Sequence, residues 1–214
     1  AKFYEGNLYV VHVSSGLTVE EVKRRFSDII GKNLFLESCP QYFYLTKDVY
    51  KGEKGNLYTL VPPLRSDNER KKLISNIDVI STVGTDHCSF TKEDKIGKFT
   101  KDIPMGVGSI EFSFVLMYTL FGSKVIDKFT RNVAKIHKLY PKKGTLLPGS
   151  DADIVIFDPN AKWYIEKHHS KSNYNIYEGL EVKGKIISTI SRGNFIVKDG
   201  IFVGGEGQFL ERRQ

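Results

Sequence analysis

Apolar residues recur along this chain with two different periods, and the change between them divides it. Residues 7–13, Asn-Leu-Tyr-Val-Val-His-Val, are apolar nearly throughout, the texture of a strand covered on both faces in a parallel sheet. Thr18-Val19-Glu20-Glu21 then spells a capping box, because a threonine hydroxyl can accept the third helical amide while the glutamate reaches back to the first. Val19, Val22, Phe26, Ile29 and Ile30 follow at helical spacing, with Gly31 as the expected stop. A second strand is expected over 33–37. Ser66-Asp67-Asn68-Glu69 repeats the capping signature before Leu73, Ile74 and Ile77, and residues 79–83, Val-Ile-Ser-Thr-Val, supply a third strand. Strand, helix, strand, loop, helix, strand is the order of an α/β fold with parallel pairing.

Between Cys39 and Pro63 the helical period fails, and Gly52, Gly55 and the Pro62-Pro63 pair predict a long irregular connection. Gly97 to Gly108 reads as another. Ile110, Phe114, Met117 and Leu120 then trace one helix face, and Val125, Ile126, Phe129, Val133 and Ile136 trace a second helix begun near Ser123. Met117 and these aromatics belong to a core rather than to a cofactor site. From Pro141 the texture changes to short β-runs at 154–157, 185–190, 195–197 and 201–203, with Lys198-Asp199-Gly200 as a hairpin turn. The expected division is therefore 1–140, α/β, and 141–214, a small antiparallel β unit.

Composition narrows the function classes. A chain of 214 residues that is 40% hydrophobic can bury a core. Its longest apolar runs, 60–63 and 112–121, are far shorter than the ~18 residues a membrane span needs, so no transmembrane segment is expected. Residues 1–6 lack the order of a signal peptide and no initiator methionine is present, so the chain reads as beginning mid-protein. Two cysteines make no disulfide framework, and a reducing, cytoplasmic setting fits. The net charge of +7 is spread as 32 basic among 25 acidic residues with no basic block, so no nucleic-acid partner is expected.

Two residues stand out for chemistry. His12 closes the first apolar run and Asp86, in Gly84-Thr85-Asp86-His87-Cys88, follows the third. In a parallel α/β barrel the C-terminal strand ends converge on the active site. A neutral imidazole and a carboxylate suit zinc, manganese or iron, and a carboxylate beside activated water can accept its proton. His87 and Cys88 are expected to be supporting residues, Cys39 an inert buried thiol, His137 a residue on a solvated face, and His168 and His169 surface or interface residues. Spacing alone leaves a core histidine and a capping aspartate as the plainer reading.

Longer blocks add a resemblance. His12-Val13-Ser14-Ser15, the run Glu37-Ser38-Cys39-Pro40-Gln41-Tyr42-Phe43-Tyr44-Leu45-Thr46, then Pro62-Pro63-Leu64-Arg65 and Thr85-Asp86-His87-Cys88-Ser89-Phe90 occur in the order of the dihydropyrimidinase and D-hydantoinase family of cyclic amidohydrolases, which the chain resembles. Gly149-Ser150-Asp151-Ala152-Asp153 and Asn173-Tyr174-Asn175-Ile176-Tyr177-Glu178-Gly179 extend the likeness to nearly the whole chain. The resemblance implies the C-terminal part of a (β/α)8 metal-dependent hydrolase barrel plus part of a small β-sandwich. It implies ring opening of a dihydropyrimidine or hydantoin, and two zinc ions bridged by a carbamylated lysine. His12 matches the ligand of the more exposed metal. Asp86 matches the ligand of the buried metal and the general base. The main chain at Val61 and at Met105 matches the contacts to the substrate's imide edge.

The family's His-x-His pair, its bridging lysine and a further histidine belong to earlier strands that this chain lacks, so the segment alone is expected to be inactive. Met105 stands where the family commonly has asparagine, Val61 where it often has serine, and Phe112 and Ser113 where Asp and Arg are usual. A main-chain contact survives such changes. Incomplete apolar faces predict a homo-oligomer. The alternatives are a non-catalytic dihydropyrimidinase-related scaffold, against which His12 and Asp86 count, and an allantoinase-like enzyme, against which Cys39-Pro40-Gln41-Tyr42 and Cys88 count.

Overall fold

In the computed structural model, which describes residues 1–108 and 110–211, the chain forms two compact units. One contains Ala1–Ser113 and Glu166–Gly179, the other Phe114–Ile165 and Leu180–Gln214. No helix among the described residues is long and apolar enough to cross a membrane.

The first unit is built on three parallel strands, β1 (Leu8–Val10), β2 (Leu34–Ser38) and β3 (Thr82–Val83), in the order β1-β2-β3. They are shorter than the apolar runs. His12 has φ +41°, outside any strand, and Ile77–Val79 is a 3-10 turn, so the expected first and third strands are trimmed. Sheet-like bonding nevertheless continues past the strand ends: Val13 N donates to Glu37 O (2.8 Å) and Gly84 N to Ser38 O (3.0 Å). Leu34, Leu36 and Val83 on one face are buried, as parallel sheets require on a helix-covered side.

Helix α1 (Gly16–Phe26) is capped by Ser15, whose hydroxyl accepts from Thr18 N, and not by Thr18 as the capping-box pattern predicts. Tertiary structure decides this. The Glu69 carboxylate accepts from Ser15 Oγ (2.8 Å) and Leu17 N (3.0 Å), partners more than 50 residues away in sequence. The helix also stops at Phe26, before Ile29 and Ile30, while Gly31 takes φ +76° in the turn to β2. Where a wholly irregular connection is expected after Cys39, Pro40 at the first helical position starts the short α2 (Pro40–Tyr44), followed by 3-10 turns at Lys47–Lys51 and Gly55–Tyr58. Helix α3 (Asp67–Ser75) begins as expected, with Ser66 accepting from Glu69 N. It packs so closely on α1 that a Cβ on Gly16 would lie 2.2 Å from Glu69 O.

The second unit joins α4 (Ser113–Phe121), α5 (Ile126–Phe129) and α6 (Arg131–Ile136) to an antiparallel sheet. One continuous helix is expected over 123–136. It breaks at Thr130 (φ −127°, ψ −94°), whose hydroxyl donates to Ile126 O at 2.8 Å, an alternative to continuing the helix. The strands β4 (Ile154–Tyr164), β5 (Glu181–Ser191), β6 (Asn194–Lys198) and β7 (Ile201–Phe202) pair consecutively in one sheet. Asp199 (φ +50°) and Gly200 (φ +80°) make the expected two-residue hairpin turn, and Arg192 and Gly193 (φ +48° and +83°) make another. Phe157 packs edge-on against Phe114 and Tyr118, with centroids at 5.2 and 4.8 Å. Met117 is fully buried, as expected of a core residue.

Candidate active site

The face of the first sheet opposite Leu34 and Leu36 carries Phe35 and a run of polar groups. Tyr9 donates to Glu37 Oε2 (2.5 Å), and its oxygen lies 2.7 Å from Thr82 Oγ1, so one hydroxyl group on each outer strand and a carboxylate on the middle one form a ladder. Burial, followed by the bond to Glu37, pushes the Tyr9 phenol well above its ordinary range. Beside it the Glu37 carboxylate fills the space a side chain on Gly84 would need, 2.6 Å from an ideal Cβ. Glycine at 84 therefore lets the third strand pass close to Glu37 on its way to Asp86.

His12 and Asp86 follow β1 and β3 at the same end of this sheet, with β2 between them. Two strand spacings put those strands about 10 Å apart. Both residues adopt left-handed backbone, φ +41° and +49°. For a residue with a Cβ that conformation costs about 1–2 kcal/mol, and such strain persists where the surrounding structure demands a particular side-chain direction. His12 Nδ1 is buried with no hydrogen-bond partner among the described residues, a state that costs about 1–3 kcal/mol unless another group supplies the partner.

An imidazole nitrogen and a carboxylate are suitable zinc donors, and the orphaned His12 nitrogen fits a ligand role. They are two where a catalytic zinc takes three protein ligands. Among the described residues no group of three or more His, Cys, Asp or Glu comes together to hold an ion. The donor set thus fits part of a metal centre.

Two buried residues of α2, Gln41 and Tyr42, bond to the loops on either side of the candidate site. Gln41 Nε2 donates to Thr85 O at 3.4 Å, and Tyr42 donates to Pro62 O at 2.9 Å. Burial first, then Cys39 and the Asp86 charge, pushes the Tyr42 phenol far up, so it stays a hydrogen-bond donor at any physiological pH. The Cys39 thiol is raised in the same way by burial, with Glu37 and Asp86 adding to it. A thiol held protonated is no nucleophile, as expected of this residue.

Val61 and Met105 lie on segments that the fold brings side by side. Gly106 N donates to Thr59 O at 3.0 Å, bonding the chain two residues before Val61 to the chain just after Met105. Gly106 has φ +130°, and a Cβ there would sit 2.4 Å from Cys88 Sγ. Cys88 N in turn donates to Val107 O (2.9 Å), and His87 Nδ1 accepts from Ile110 N at 3.4 Å. These supporting contacts tie the Asp86 loop to the Met105 segment. Val61 itself is exposed and Met105 half-buried.

Sequence reasoning did not single out Glu37, Tyr42 or Gly106. Gly106 was legible in principle, as a glycine in a loop between candidate site residues. His169, by contrast, is an exposed residue as expected, paired with Glu111 at 2.8 Å.

Residues 64–196 match the family described as the amidohydrolase family. The chain is 37% identical to a D-hydantoinase of Geobacillus stearothermophilus over 96% of its own length and 47% of the relative's. It is 35% identical to a D-phenylhydantoinase of Escherichia coli, covering 96% of the chain and 48% of that protein. Among solved structures, a D-hydantoinase superposes with TM-score 0.92 at 34% identity over 99% of this chain and 50% of the other. A dihydropyrimidinase from Brevibacillus agri gives 0.87 at 35% identity, over 95% and 47%. The chain thus spans about half the length of the relatives it matches. With a family match over most of its length and a shared fold, this chain belongs to the amidohydrolase family.

Proposed function

We propose that this chain is the C-terminal portion of a (β/α)8 metal-dependent hydrolase, with part of a small β-sandwich, and that the whole protein opens cyclic amides of the dihydropyrimidine or hydantoin type. The observation that carries this reading is the placement of His12 and Asp86 at one end of one parallel sheet, both held in left-handed backbone. The names of the relatives, D-hydantoinase and D-phenylhydantoinase, supply the substrate class.

His12 and Asp86 would hold zinc, and earlier strands of the whole protein would complete the two-metal site. When bound, zinc supplies Lewis acidity toward the ring carbonyl and the attacking water. Asp86 accepts the proton of that water as its oxygen bonds to the carbonyl carbon, then returns a proton to the ring nitrogen as the carbon–nitrogen bond breaks. The main chain at Val61 and Met105 holds the imide edge, which tolerates the side chains found there. Because the contacts are backbone ones, they depend on the spacing of the two segments rather than on residue type. The chain alone lacks enough ligands for turnover. Apolar groups such as Leu8 and Val11, exposed beside the β1 edge, favour a homo-oligomer, and the paucity of cysteine favours a cytoplasmic setting.

Hydrolysis of dihydrouracil and hydantoin by the whole protein, by its Asp86→Asn variant and by the 214-residue chain tests this. Loss of at least about a hundredfold in kcat for Asp86→Asn, with zinc per chain measured alongside His12→Ala, is the expected outcome. Unchanged turnover in Asp86→Asn overturns the assignment, and turnover by the 214-residue chain overturns its inactivity.

A further inference from the structure

Lys95 is a charged side chain with no exposed surface, and among the described residues no carboxylate pairs with it. Its ammonium donates to Thr59 O (2.9 Å), Thr59 Oγ1 (3.0 Å) and Pro104 O (2.6 Å), so all three N–H bonds are used on neutral acceptors. Thr59 Oγ1 is free to accept because its own proton goes to Asn56 O at 2.8 Å. The lysine is aimed inward by a local turn in which Asp94 Oδ2 accepts from Thr91 N (2.8 Å) and Thr91 Oγ1 (2.9 Å). Asn56 Nδ2 holds the Lys95 carbonyl at 2.5 Å, and the Phe90 ring lies 5.4 Å from the ammonium.

Burying an ammonium without a counter-ion is costly, and burial does push this lysine down to about 8. What the charge gains is three charge-assisted bonds on two stretches of chain, two to main-chain carbonyls and one to the Thr59 hydroxyl. Those stretches end two residues before Val61 and one residue before Met105.

We propose that Lys95 is a positioning residue that locks the Thr59–Val61 backbone to the Pro104–Met105 backbone and so sets the gap into which the substrate's imide edge fits. The proposal rests on the reading of those two segments as substrate contacts. Lys95 touches no reacting atom; it acts through carbonyls whose neighbours do. The Gly106 N–H to Thr59 O bond, which shares its acceptor with the ammonium, is the part of the lock whose loosening can be read directly.

Lys95→Met keeps the stem and removes all three donors. In the whole protein, KM for dihydrouracil should rise about tenfold or more while kcat changes less than about threefold and zinc content is unchanged. Amide hydrogen exchange at Gly106 should quicken about tenfold or more, with protection in β2 retained. Thr59→Val, which withdraws one acceptor of three, should shift both readouts in the same direction by less, and it serves if Lys95→Met does not fold. Unchanged exchange at Gly106 overturns the lock, and loosened exchange with unchanged KM overturns its role in substrate positioning. If no form of the protein opens a cyclic amide, the proposed function fails, while the exchange measurement still decides the lock.

Discussion

Glycine is ordinarily worse than alanine away from turns, by about 0.5–1 kcal/mol, because it loses more freedom on folding. At His12 and Asp86 that order should reverse. Their φ values of +41° and +49° put a Cβ into the conformation that costs about 1–2 kcal/mol, whereas glycine occupies it freely. Against this gain stands the extra entropy of glycine in the unfolded chain, about 0.4–1 kcal/mol. The difference leaves His12→Gly more stable than His12→Ala by about 1 kcal/mol, and Asp86→Gly more stable than Asp86→Ala by a similar amount. Both variants of a pair lose the same side-chain chemistry, so the comparison isolates backbone strain. In urea, with a slope of about 2 kcal/mol/M, the glycine variants should unfold about 0.5 M later. The only tryptophan, Trp163, belongs to the other compact unit, so far-UV circular dichroism is the suitable probe. Alanine variants as stable as the glycine variants, or more so, would refute the argument that these two positions store strain for the sake of where their side chains point.

Other consequences follow from close approaches and burial. Gly16→Ala places a methyl 2.2 Å from Glu69 O and 2.5 Å from Leu73 N, backbone atoms that cannot step aside, and should destabilise the first unit by about 2–3 kcal/mol in urea titration. Gly184→Ala meets the Phe157 ring at 2.2 Å and has φ +92°, so the second unit should melt lower while the first is untouched, read by Trp163 fluorescence. Lys95 also sets a pH dependence. Its folded pKa near 8 lies below the ordinary 10.5, so between those values the unfolded chain binds more protons and stability rises with pH, the contribution being lost as pH falls through 8. The stability of the parent chain minus that of Lys95→Met should therefore become more positive between pH 7.5 and 10; a constant difference would contradict it. Half-buried Cys88 should react with a thiol reagent in the folded chain before Cys39, which is fully buried with its thiol pushed up, and Cys39 only on unfolding.

Much of the fold was legible because its signals are local. Ser66 ahead of Glu69 starts α3, and Asp199-Gly200 turns a hairpin, since capping and left-handed backbone are decided within four residues. His12 and Asp86 could be singled out from apolar runs and from blocks in family order, though the runs overstated the strands that precede them. What depended on distant partners was not legible. Ser15 displaced Thr18 as the α1 cap because Glu69, far along the chain, binds the serine and the adjacent amide. Lys95 left the solvated surface for the interior because Thr59 and Pro104 present three oxygens at bonding distance, an arrangement no window around position 95 contains. Residue types and short-range patterns thus determined which groups could do chemistry. Only tertiary structure decided which of them share an end of a sheet, because hydrogen bonds and burial depend on distance in space and not on separation along the chain.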